Sequence, residues 1–96
     1  MYWYYGTFTK PEDAPTCLAF ASTAFDRYNL KVFLAPDGGF TTVAGAPDDS
    51  VIVQVACAPQ DGHTWAVVTA FSDNNDLART MRDKVQADIQ SAMRID

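Results

Sequence analysis

The sequence predicts a single α+β domain over residues 1–96, a five-stranded antiparallel sheet in the order 2-3-4-5-1 with two helices on one face. Three observations carry this. Two pairs of strand-like runs flank turn sequences of the same chemistry, Pro36-Asp37-Gly38-Gly39 and Pro59-Gln60-Asp61-Gly62. Two stripes of apolar residues recur with helical period, and a strand-like run precedes the first of them.

Taken in order, Tyr2 to Thr9 is aromatic and β-branched, with Gly6 its weak point, and reads as the first strand. Thr9 and Glu12 have capping-box spacing, Asp13 is an alternative N-cap, and Pro11 and Pro15 suit only a helix start. Ala14, Cys17, Leu18, Ala21, Ala24, Phe25 and Tyr28 then form a stripe ended by Asn29, a residue suited to a left-handed cap, so the first helix is expected from Ala14 to about Tyr28. Lys31 to Ala35 and Phe40 to Ala44 form the first hairpin. Gly45 to Ser50 is a polar loop, and Ser50 to Ala58 with His63 to Phe71 form a second, more apolar hairpin. Ser72, Asp73, Asn74 and Asn75 supply capping side chains and acidic charge, and open the last helix. Its apolar stripe is Leu77, Ala78, Met81, Val85, Ile89, Ala92 and Met93; Arg79, Asp83, Gln86 and Gln90 are expected in water. Arg79 with Asp83 and Lys84 with Asp88 are spaced to pair along it.

Strand one is separated from strand two by a helix, and the sheet closes most simply if strand one pairs with strand five. That order of elements resembles the half-domain of the TATA-box-binding proteins. The likeness covers the whole chain but no motif, so it implies a fold and no function. A DNA-binding saddle needs cations on its exposed face, and only Lys31 among the seven Lys and Arg falls in a predicted strand. With twelve acidic residues and a net charge of -5, nucleic acid is not an expected partner.

No basic segment followed by an apolar one opens the chain, and no run approaches the ~18 apolar residues of a membrane span, so a soluble, cytoplasmic protein without a membrane partner is expected. Cys17 and Cys57 lie among apolar neighbours and build no zinc-binding spacing; they are expected as free, buried thiols, with a disulfide or a nucleophile as the alternatives. No metal or cofactor is expected.

His63, with Cys57 and Asp61, is the one set that acid/base or nucleophilic chemistry could use. A three-residue loop starting at Gln60 would put Cys57 and His63 on one face, and a four-residue loop starting at Pro59 would put them on opposite faces. Asp61 is explained more simply as a turn residue, and no catalytic residue is assigned. No Asp or Glu falls inside a predicted core strand, where burial could tune it for catalysis; Asp88, beside the stripe of the last helix, has Lys84 to partner it.

The two strands of the second hairpin carry apolar side chains on both faces, Val51, Val53, Val55 and Cys57 on one and Ile52, Ala56 and Ala58 on the other, with Val67 and Val68 adding one to each. A partner, a ligand or a strong curl is expected to cover the second face. The expected function is therefore a non-catalytic binding or interaction module, taking a protein partner or a small apolar ligand, and a homodimer through the sheet face, an edge or both. Trp3, Tyr5, Ile52, Val53 and Trp65 are the expected contact residues. The alternatives are a small enzyme using His63 and an acidic mimic or inhibitor.

Overall fold

Side chains that alternate in and out along a strand and recur every three or four residues along a helix meet in one core in a computed structural model, which describes residues 1–93. The elements follow in the order β1 (Tyr2–Lys10), α1 (Ala14–Arg27), β2 (Lys31–Leu34), β3 (Thr41–Gly45), β4 (Ile52–Gln60), β5 (His63–Ser72) and α2 (Asn75–Ser91). The sheet is antiparallel throughout in the order β1-β5-β4-β3-β2, as expected. Both helices lie on one side, α1 mainly over β4 and α2 over β1 and β5, and they also touch each other. A Cα radius of gyration of 12.5 Å is about that of one compact body of this length.

The period of each element explains which face it buries. Along β5, Thr64, Ala66, Val68, Ala70 and Ser72 are buried under the helices, and along β4 Val53, Val55 and Cys57 are. Small residues on the interior strand β5 let both helices descend on the sheet, and Phe25 from α1 with Val85 and Ile89 from α2 fill the space between. The two polar ends of β5 are satisfied: the Thr64 hydroxyl donates to the Glu12 carbonyl at 2.7 Å and that of Ser72 to the Ser50 carbonyl at 2.6 Å.

Helix ends follow the local chemistry. Asp13, not the Thr9–Glu12 box, caps α1, its carboxylate accepting from the Thr16 N–H at 3.0 Å, because Thr9 is held in β1. Asn29 closes the helix at φ 57°, the left-handed conformation expected of it. Asn74 caps α2 by accepting from the Leu77 N–H. Helix α2 ends at Ser91, which leaves Met93 outside its stripe and exposed.

Four expectations are corrected. Cys17 and Cys57 are not free thiols: the buried pair forms a disulfide between α1 and β4, with Cα atoms 6.1 Å apart. Forty residues apart in sequence, they meet only because α1 lies across β4. Strand β1 runs one residue past Thr9 and places Lys10 in the sheet, so Lys31 is not the sole strand cation; Lys10 points under the helices and is buried. Gln86 is half-buried rather than in water, since Gly6 has no side chain and the ends of Gln86 and Arg82 occupy the space a Cβ would take. The ion pairs along α2 also differ. Arg79 pairs with Asp76 at 3.2 Å and Arg82 with Asp83 at 2.7 Å, while Asp88 turns to α1, receiving Arg27 at 3.4 Å and the Tyr28 hydroxyl at 3.0 Å.

Candidate functional site

The side of the sheet away from the helices is uncovered, and strand register sets its composition row by row. Trp3 stands opposite Phe71, Phe71 opposite Ile52, and Ile52 opposite Gly45. Gly45 is the gap in this row, and Phe33 fills it: its ring edge and Ile52 Cγ1 lie 3.4 and 3.7 Å from where a Gly45 Cβ would be. The next row is Tyr5, Thr69, Gln54 and Val43, followed by Thr7, Val67, Ala56 and Thr41, and then Thr9, Trp65 and Ala58. Trp3 and Tyr5 stack with centroids 5.9 Å apart.

Across β1, β5, β4 and β3 this face holds no Asp, Glu, Lys or Arg; His63 stands at the end of β5, and Lys31, opposite Gly45 on β2, at the corner of the face. It is neutral rather than uniformly apolar, with threonines and Gln54 at the centre and aromatic rings toward the ends. Trp3 is 59% exposed, Tyr5 61%, Trp65 46%, Ile52 36% and Phe33 64%. Four of the five expected contact residues, Trp3, Tyr5, Ile52 and Trp65, therefore meet on one surface. Val53 does not. It points the other way and is fully buried against the helices, because adjacent residues of a strand face opposite sides. Phe33 and Phe71 share this surface and are not among the expected contact residues. Phe71 shares the parity of Trp65, so its signal was present; that of Phe33 is hidden by the register shift between Val32 and Leu34.

The catalytic set does not assemble. Gln60 pairs with His63 across a two-residue connection, Asp61-Gly62, in which Gly62 takes φ 78°. That register puts His63 on the open side and Cys57, already disulfide-bonded, on the helix side. His63 Nδ1 lies 3.1 Å from the Asp61 carbonyl, a contact within the turn. Among the described residues two titratable groups are displaced from their ordinary values, and both belong to the scaffold. Burial, followed by the Asp88 carboxylate that accepts its hydroxyl, raises the Tyr28 phenol above 10.0. Hydrogen bonds from Ser50 lower the carboxyl of Asp48 in the β3–β4 loop. Among the described residues no three His, Cys, Asp or Glu side chains gather as a metal site, and no helix is long and apolar enough to cross a membrane.

No protein-family model matches the chain, and no curated protein matches it in sequence.

Proposed function

We propose that this chain is a non-catalytic interaction domain that self-associates, with the open sheet face covered by a second copy. The carrying observation is the neutral face that exposes Trp3, Tyr5, Phe33, Ile52 and Trp65 on one side of the sheet. An ordinary solvated face of an antiparallel sheet would carry charge there. At the spacing of strands and residues in a sheet it projects about 500 Å² per copy, so two copies stacked face to face would bury about 1,000 Å², the lower bound of a specific interface. A twofold arrangement needs a self-complementary surface, and an uncharged one meets no like-charge repulsion against itself.

The same face lacks the cations that would hold a phosphate backbone, and the net charge of -5 supports a partner other than nucleic acid. The enzyme reading using His63 loses support from the separation of His63 and Cys57. The buried disulfide bears on the compartment: structural disulfides persist where the environment is oxidising, which favours such a compartment over the cytoplasm.

Sedimentation at ~100 μM tests the reading, since association depends on protomer concentration. The expected species is about 21 kDa, twice the 10.5 kDa chain. Ile52→Asp should give a folded monomer and Val53→Asp an unfolded chain, while His63→Gln should change nothing. A wild-type monomer under these conditions overturns the proposal. A dimer that survives both Ile52→Asp and Trp65→Asp overturns this face as the interface and moves it to the free edge of β1.

A further inference from the structure

On the helix side of the sheet, α1 leaves the β2–β3 hairpin partly uncovered. Between the two lies a pocket of about 620 Å³, open to solvent along Ala19, Ala35 and Phe40. Ala14 and Leu18, both buried, contribute to its wall from α1, and Thr42, also buried, from β3. Ala19 lines it from α1 and Ala35 from the hairpin. The short side chains of Ala14, Ala19 and Ala35 leave the space open, where a leucine or phenylalanine would occupy it. Val32 and Phe40 line it as well, and both are substantially exposed although apolar, so an occupant would remove them from water.

The shape distinguishes this place from the open sheet face. A flat surface suits a second protein, whereas an apolar cavity of a few hundred Å³ with few polar groups is the ordinary form of a small-molecule site. Its chemistry also restricts the occupant. None of the residues lining it is ionisable, so neither an anion nor a cation finds a counterion there. The net charge of -5 further disfavours anions. The Thr42 hydroxyl already donates to the Leu34 carbonyl at 3.1 Å, which leaves the exposed hydroxyl of Ser22 as the main side-chain polar contact.

We propose that this cavity binds a neutral, largely apolar small molecule. The site lies on the opposite side of the sheet from the self-association surface and does not depend on it.

Nile red, a neutral apolar dye, serves as the probe, with 1-dodecanol and dodecanoate as competitors of equal chain length and different charge. The expected result is saturable fluorescence enhancement, weakened about tenfold or more by Ala19→Phe or by Ala35→Phe, which fill the cavity from opposite walls. Far-UV circular dichroism of each variant confirms the fold, and should one fail to fold the other carries the test. Dodecanol should displace the dye at a concentration at least about tenfold below that needed of dodecanoate, because the cavity offers the carboxylate no cation. Ile52→Asp and Trp65→Ser, on the open face, should leave dye affinity unchanged. Absence of saturable binding, affinity unchanged in the cavity-filling variants, loss of binding in Trp65→Ser, or equal competition by dodecanoate would each overturn the proposal.

Discussion

Lys10 shows how one residue can be polar in sequence and structural in place. Its ammonium reaches the end of α2 and donates to the Gln90 and Ala92 carbonyls at 3.0 and 2.6 Å, groups that a helix C-terminus leaves without intrahelical partners. Glu12 stands 3.7 Å away, and the Phe20 ring centroid lies 5.4 Å from the same nitrogen. Both charged side chains are largely buried, and Glu12 Oε1 accepts no hydrogen bond among the described residues, so Lys10 is its counterion. Lys10→Met should therefore cost about 3 kcal/mol or more, as removal of one partner of a buried pair does. Lys10→Met with Glu12→Gln should recover part of that loss. Urea denaturation of the three proteins checks it, and equal stability of Lys10→Met and wild type would remove Lys10 from the scaffold.

At the scale of elements, the two helices are held by different means. Helix α2 docks chiefly through apolar burial, with Lys10 on its last carbonyls and Arg27 and Tyr28 on Asp88: Ile89 and Val85 are fully buried, whereas Met81 is only half-buried at the margin of the core. Ile89→Ala should cost about 2–5 kcal/mol and Met81→Ala below about 2, a difference that follows from how much of each side chain leaves water. Chemical denaturation that gave equal losses would place the α2 stripe differently. Helix α1 is in addition tied to β4 by Cys17–Cys57, a cross-link between residues forty apart in sequence. Replacing both cysteines by alanine should lower stability by about 2–4 kcal/mol, since a loop of this length gains considerable freedom in the unfolded chain. The reduced wild type should match the double variant in its denaturation midpoint.

For the whole molecule, the two sides of one sheet do different things. The helix side holds the core, and the open side is neutral from β1 to β3 in a chain of net charge -5. Self-association through a neutral face gains nothing from ion pairing and works against repulsion between two acidic bodies. Raising sodium chloride from about 50 to about 500 mM should therefore leave the proposed dimer as tight or make it tighter. Sedimentation at the two salt concentrations checks this; dissociation at high salt would mean that charged residues outside the face hold the copies together.

Periodicity and turn chemistry are local properties, and they determined the number, kind and order of the elements. Asn29, the Asp-Gly turns and the alternation along β4 act within a few residues, so their signals could be read before any fold was known. The strand order followed from them, whereas the gathering of Trp3, Tyr5, Ile52 and Trp65 on one side rests on the cross-strand register. Tertiary structure decided everything that depended on which residues meet across the chain. Cys17 meets Cys57 because α1 crosses β4, and Lys10 meets the end of α2 because β1 lies beneath it. Gly6 admits Gln86, Asp88 turns from Lys84 to Arg27 and Tyr28, and the register at Asp61-Gly62 separates His63 from Cys57. Val53 belongs to the core and its neighbour Ile52 to the surface because a strand presents successive residues to opposite sides, and only the packing of the helices determined which side was which.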